Sequence, residues 1–363
     1  MRTSCRAVSG LVLILGILTS SCREKVAEPN PPAASNARAS FAVISGLTGT
    51  VSPCGCGDSP VGGGLAALVG EVERLQTERA RKVLVVGDTF YELLDPPSDR
   101  LDSEAKKAGF VRDILKELEV SALATGERDE LAGGSGWRQL LKESGLPHMI
   151  FSRVRDSHGA IDSRIIEMGG VKVGIIGASG KNALNQPKLY TEAALAIRAQ
   201  GAHVVVGLLP TGGERAAQFT TFVDAIDVMV AGGTEESKDP TVLGGTLLLQ
   251  GLNKGREVGL LEVHRRVEGG FVFDDGGAAL KRTLESRIQS LRTMVETLEE
   301  GPERVERQVA LEALVQELKN LKVKAPDGNF IRWSTVDVSE SPTSNPELLK
   351  RVKALELPPC VCD

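Results

Sequence analysis

The chain has no internal repeat, no basic patch and no apolar run long enough to cross a bilayer as a helix. The first absence leaves no repeat-array architecture to consider. The second argues against nucleic acid as a partner. The only low-complexity stretch covers residues 23–40. Histidine is scarce, with four residues at His148, His158, His203 and His264. The glycine-rich segments lack the Lys-Ser/Thr pair of a P-loop, so they do not announce a nucleotide triphosphate site.

What is present at the N-terminus is a targeting pattern. Arg2 and Arg6 precede a short apolar core from Leu11 to Leu18, and Thr19-Ser20-Ser21-Cys22 follows. Residues 1–21 therefore read as a signal peptide. The residues ending at Cys22 resemble a bacterial lipobox, in which that cysteine is lipidated, although Thr19 stands where leucine is usual. Ordinary cleavage near Ser21 with a free Cys22 is the alternative. Residues 22–40 carry three prolines among small and polar residues, a composition suited to a tether. This predicts an extracytoplasmic protein anchored by lipid in the cell envelope, and Arg23 favours the outer membrane. Loss of residues 1–21 removes Arg2 and Arg6 and no acid, so 43 basic residues become 41 against 48 acidic, a net charge of −7. Export also predicts that thiols end as disulfides or metal ligands. Four cysteines then matter: Cys54, Cys56, Cys360 and Cys362.

From residue 41 to about 227, apolar strands alternate with amphipathic helices. Leu65, Leu68, Val69, Val72 and Leu75 share a helical face, and residues 83–86 form a continuous apolar run, as in a strand buried on both sides. Gly169-Gly170 joins two strands in a hairpin, and residues 246–249 and 258–263 read as strands at an edge or in a second sheet. The expected fold is α/β, a mixed-sheet sandwich flanked by helices, over residues 41–275. Residues 276–324 show two helical periodicities broken by Gly301-Pro302, an antiparallel helical hairpin. Residues 325–363 should add a strand, a helix and the Cys-x-Cys tail.

Polar or glycine-containing turns end the strand candidates: Gly87-Asp88, Gly126-Glu127-Arg128-Asp129, Leu209-Pro210-Thr211 and Gly232-Gly233-Thr234-Glu235. With the loop Pro53-Cys54-Gly55-Cys56, five strand ends would meet on one rim, where open α/β sheets bind ligands. Over residues 41–264 this order resembles the metallophosphoesterases, in particular their 5′-nucleotidase-like branch. The loop, with Gly63-Gly64-Leu65 behind it, is similar to that of an exported UshA-like group. Some members of that group carry selenocysteine there, which implies a reactive thiol. The resemblance implies two metal ions held by Asp-x-His, Gly-Asp, Gly-Asn-His, a lone His and Gly-His-x-His motifs. Here Gly46-Leu47-Thr48 stands for the first, Gly126-Glu127-Arg128 for the third and Gly233-Thr234-Glu235 for the last. Asp88 is the one ligand retained, at the position that would bridge the metals, and no histidine falls at a motif position.

One aspartate does not hold two ions and generate hydroxide. Asp58, Asp88, Glu127, Asp129 and Glu235 are candidate oxygen ligands for a hard cation, with Arg128 and Thr234 on the same rim. The cofactor is thus a divalent metal ion or none. Cys54 and Cys56 are the candidate catalytic residues, as a redox pair. Alternatively they join Cys360 and Cys362 around a soft metal, or all four form structural disulfides. Three functions follow: thiol redox or ligand binding on an eroded hydrolase fold, a working metal-dependent phosphoesterase, or a structural envelope protein. The expected partners are the membrane, through the anchor, and a redox or envelope protein met through the helical hairpin.

Overall fold

The computed structural model describes residues 37–53, 63–149, 163–180, 185, 187–236, 238–338 and 344–357. The signal segment, most of the tether, and Cys22, Cys54, Cys56, Asp58, His158, Cys360 and Cys362 lie outside the described residues.

Two six-stranded mixed sheets pack face to face. The first contains β1 (Ala37–Ser45), β2 (Lys82–Gly87), β3 (Val120–Thr125), β10 (Glu257–Arg265), β11 (Val272–Asp274) and β12 (Phe330–Asp337), in the order β11-β12-β10-β1-β2-β3. The second contains β4 (Ser163–Met168), β5 (Val171–Gly177), β6 (Val204–Leu209), β7 (Val228–Thr234), β8 (Thr241–Leu243) and β9 (Thr246–Leu252), in the order β4-β5-β6-β7-β9-β8. Alternation along each strand builds three apolar layers. Phe41, Val43, Leu84 and Val86 face Val173, Ile175, Val206 and Val230 between the sheets. The next residues along, Ala42, Ile44, Val83 and Val85, meet α1 (Leu65–Glu78), α2 (Leu101–Glu117), α3 (Glu127–Ser144) and α8 (Pro346–Lys353). On the far side Val205, Leu209 and Met229 meet α4 (Pro187–Ala199) and α5 (Gly213–Thr220). Strands buried on both faces explain why residues 83–86 and 204–209 read as unbroken apolar runs.

The hairpin of α6 (Ala278–Thr297) and α7 (Pro302–Lys319) closes on its own small core of Leu284, Ile288 and Leu314. Gly301 and Pro302 supply its break, with proline at the first helical position, where its missing N–H costs nothing. Among the described residues no helix is long and apolar enough to cross a membrane.

Four sequence expectations change. The strand expected at residue 41 starts at Ala37, inside the expected tether, because Ala37 to Ser40 pair with Arg265 to Glu262 of β10. Strand β10 is not at an edge; it lies between β1 and β12. The C-terminal segment is not an addition to the domain, since β12 completes the first sheet and Leu348 and Val352 of α8 enter its outer core. The turn expected at Gly126-Glu127-Arg128-Asp129 is the start of α3, which a non-helical Gly134 (φ +48°) interrupts. Gly133, Gly134 and Gly136 weaken the helical signal there, and burial of Trp137 and Leu141 outweighs that weakness.

Candidate functional site at the sheet rim

The C-terminal ends of the parallel strands converge, as expected, around a polar pocket of about 240 Å³. Gly46 and Thr48 follow β1; Gly87 and Asp88 end β2; Glu127 and Arg128 open α3 after β3; Gly180 follows β5. Pro210, Thr211 and Gly212 follow β6 and lead to Arg215 on α5, while Gly232, Gly233 and Asn253 come from β7 and the end of β9.

Glycine lets the two sheets touch here. A Cβ on Gly46 (φ +52°) would lie 3.0 Å from the Cα of Gly233, and one on Gly87 (φ +95°) 3.0 Å from the Cα of Gly232. Backbone from both sheets therefore fills the floor beneath the positions where the resemblance places metal-binding side chains. Beside it, Thr48 holds φ +51°, a strained value for a β-branched residue.

Asp88 faces the pocket, and Arg128 binds one of its oxygens and lies near the other. The backbone N–H of Arg128 donates to Asp88 Oδ1 at 2.9 Å, and the Arg128 Nε lies 3.8 Å from Oδ2. A Cβ on Gly126 would overlap this carboxylate, so the contact requires glycine there. Burial raises the Asp88 pKa, and the Arg128 N–H and guanidinium only partly offset it. The Arg128 guanidinium is itself fixed by donating to the carbonyl of Glu92. Glu127 sits at the mouth, with Oε2 3.8 Å from Nη1 of Arg215, a loose pair of half-exposed groups.

Asp129 is not on the rim. It is fully buried and accepts N–H bonds from Thr89 at 2.8 Å, Phe90 at 2.7 Å and Tyr91 at 3.3 Å. Helix α3 turns it inward to cap the loop after β2. Burial, and then the neighbouring Asp88, push its pKa up to about 7. Thr234 and Glu235 do not line the pocket; the Thr234 hydroxyl donates to Glu236 O and Glu235 is exposed. The described histidines have structural surroundings. His148 is buried edge-on to Trp137 and hydrogen-bonded to the Thr125 hydroxyl at 3.0 Å, and burial lowers its pKa to about 3. His203 Nδ1 accepts the Lys172 N–H, and His264 stacks on Phe330.

This donor set does not fit a dinuclear metal centre. The pocket offers two carboxylates, one already engaged, and two guanidinium groups that repel a cation. Among the described residues no group of three or more His, Cys, Asp or Glu is placed to hold a metal ion. Arg215 and Asn253 escaped the sequence reading. Arg215 had a signal, because it follows Gly212-Gly213 in the first turn of the helix after a strand end, much as Arg128 follows Gly126.

The chain on either side of residues 54–62 closes on itself. The Leu65 N–H donates to Val51 O at 3.0 Å, and a Cβ on Gly64 (φ +84°) would lie 2.7 Å from the Pro53 nitrogen. Gly63 likewise packs against Lys254 O, so both glycines serve close backbone packing. A second, small cavity adjoins this point. It is lined by residues 49–52, Glu92, Lys107 and, from beyond α8, Leu357. Lys107 is buried there between Glu92 and Glu104.

No protein-family model matches the chain, and no curated protein matches it. Solved structures do. A 5′-nucleotidase precursor of Thermus thermophilus is 22% identical with a TM-score of 0.53, over 64% of this chain and 52% of that one. The calcineurin-like phosphoesterase YfkN of Bacillus subtilis is 14% identical (TM-score 0.51; 64% and 86%). The NAD nucleotidase of Haemophilus influenzae is 15% identical (TM-score 0.54; 87% and 60%). The chain thus spans about half the length of the first of these. At such identities the likeness concerns the fold alone. The fold is metallophosphoesterase-like, of the kind seen in 5′-nucleotidases and calcineurin-like phosphoesterases.

Proposed function

We propose that this chain is a lipid-anchored, extracytoplasmic protein on a metallophosphoesterase-like fold whose two-metal centre has eroded, and that its chemistry is thiol exchange at Cys54 and Cys56. The Asp88–Arg128 contact supports the erosion: the carboxylate on which a bridged metal pair would depend accepts the Arg128 N–H on Oδ1 and has a guanidinium beside Oδ2. The observation that carries the thiol reading is the small cavity shared by Val51, Ser52 and Leu357. Cys54 is two residues beyond Ser52 and Cys360 three beyond Leu357. At roughly 3.5 Å per residue, two residues of chain reach at most about 7 Å from Ser52 and three reach at most about 11 Å from Leu357, so chain length allows the two Cys-x-Cys segments to meet. That reach covers the separation a disulfide spans. Helix α8 sets it up. Leu348 and Val352 are buried, the Asn345 N–H donates to Ala66 O at 3.0 Å, and Arg351 forms a forked ion pair with Glu117.

The reaction proposed is exchange with the disulfide of a partner protein. A thiolate of the Cys54/Cys56 pair attacks the partner's disulfide and releases one partner thiolate. A second thiolate, from the same pair or from Cys360 or Cys362, attacks the mixed disulfide and releases the other. This chain is left with a disulfide, and the partner has gained two electrons and two protons. The hairpin of α6 and α7, with Met294, Val305 and Val309 exposed, offers a surface for such an envelope partner.

The test is a thiol count across a series of glutathione potentials, with disulfides assigned by peptide mass spectrometry. The expected result is one reversible two-electron transition that includes Cys54 or Cys56. Bonds that stay closed at every potential on the folded protein would leave only a structural role for the four cysteines.

A further inference from the structure

The misfit between the rim and a metal pair indicates what the rim accepts instead. Four charged side chains face the pocket: Asp88, Glu127, Arg128 and Arg215. A divalent cation entering it meets two guanidinium groups and two carboxylates, Glu127 at the mouth and Asp88, whose Oδ1 already accepts the Arg128 N–H and whose Oδ2 has the Arg128 guanidinium 3.8 Å away. An anion meets the reverse. Arg128 is pre-positioned by its bond to the Glu92 carbonyl, so its guanidinium loses little freedom when a ligand binds. Arg215 is 63% exposed and its 3.8 Å contact with Glu127 is too long for a hydrogen bond, so it turns onto a ligand at small cost. Both arginines stand in the first turns of helices, α3 after Gly126 and α5 after Gly212, whose N-terminal ends border the pocket and add to its positive potential. Glu127 opposes an anion, and being half-exposed it is free to swing toward solvent.

We propose that the rim pocket is a metal-independent receptor for a small oxyanion, held between the Arg128 and Arg215 guanidinium groups. Its volume of about 240 Å³ suits a free ion or a small anionic molecule rather than a polymer. The ligand chemistry is a planar or tetrahedral group of oxygens that two guanidinium forks can grip, as carboxylate, phosphate and sulfate all offer. Anion binding of this kind uses the two arginines and does not require the thiol reading.

The experiment is calorimetric titration of the full chain in detergent and EDTA with sodium phosphate, sodium sulfate and sodium succinate as separate arms. Saturable binding in at least one arm is expected, and the arm identifies the class of anion. Arg215→Gln should weaken it about tenfold, the loss of one charge-assisted contact. Glu127→Gln should tighten it about threefold, because a repulsive charge leaves the mouth. The Cys54→Ser/Cys56→Ser variant should bind the anion unchanged, so failure of the thiol reading and failure of this one are distinguishable. Absence of saturable binding in every arm would overturn the proposal. So would weaker binding in Glu127→Gln, or stoichiometric Mn²⁺ binding that Asp88→Asn abolishes.

Discussion

Gly46→Ala measures how tightly the two sheets close at the rim, and hence whether a metal-binding side chain fits there. Two costs are expected. Gly46 holds φ +52°, and a non-glycine residue in the left-handed region costs about 1–2 kcal/mol. The new Cβ would also sit 3.0 Å from the Cα and N of Gly233 and 3.3 Å from the Cβ of Asn253. Those neighbours are mostly backbone, and Gly46 is pinned by its N–H to Val86 O and by its carbonyl to the Lys254 N–H, both at 2.8 Å. Crowding of this kind adds about 1–3 kcal/mol. Gly244→Ala is the control, because Gly244 holds φ +56° and a methyl added there would meet nothing within 4 Å. It should cost the conformational share alone. Urea unfolding of both variants, with equal slopes, should therefore show Gly46→Ala the less stable by about 1–3 kcal/mol. Equal losses would refute the claim that backbone fills the floor of the pocket. The consequence for function is direct: aspartate at position 46 with histidine at position 48 should not restore a metal site, and measured metal content of that double variant checks it.

Two buried groups give the stability opposite pH slopes. The pKa of His148 falls from 6.5 to about 3 on folding, so the stability from keeping it neutral is present above pH 6.5 and is lost as pH falls toward 3. That loss amounts to roughly 2 kcal/mol between pH 6.5 and 4.5. Asp129 rises from 3.8 to about 7, so the folded chain holds the extra proton and stability is lost as pH rises through that window. The two nearly cancel in the parent protein. His148→Asn should therefore unmask a decline toward neutral pH, and Asp129→Asn a decline toward acid; urea midpoints from pH 4 to 7 would show it. A common slope in both variants would contradict these assignments. Leu348→Ala, which empties a buried site under α8, should cost about 2–4 kcal/mol. It should also lower the yield of any disulfide between the two Cys-x-Cys segments, read by non-reducing peptide mapping, and an unchanged yield would count against α8 as the support of the tail.

The layers of the sandwich were legible because double burial writes unbroken apolar runs into β2, β6 and β7, and because Gly169-Gly170 and Gly301-Pro302 punctuate the chain at its two hairpins. Helix α3 was not, since three glycines mask a helix that exists to bury Trp137 and Leu141. The rim was legible as a place but not as a set of directions. Asp88, Glu127 and Arg128 do line one pocket, yet Asp129, next in sequence, turns inward, because one residue along a helix is a rotation of about 100°. Thr234 and Glu235 sit beyond the pocket because β7 runs past it. Arg215 went unread although its place after Gly212-Gly213 matches that of Arg128 after Gly126; the fold adds that the first turns of α3 and α5 border the same cavity.

We propose that this fold has exchanged two-metal hydrolysis for chemistry that needs no metal at the rim. The most direct measurement is the metal content of the purified protein and of its Asp88→Ala variant, with release of nitrophenol from a nitrophenyl phosphodiester followed in both under Mn²⁺. The expected result is the same metal content in the two proteins and no metal-dependent release from either. A pair of bound ions in the parent protein, lost together with its phosphodiesterase activity in Asp88→Ala, would contradict it.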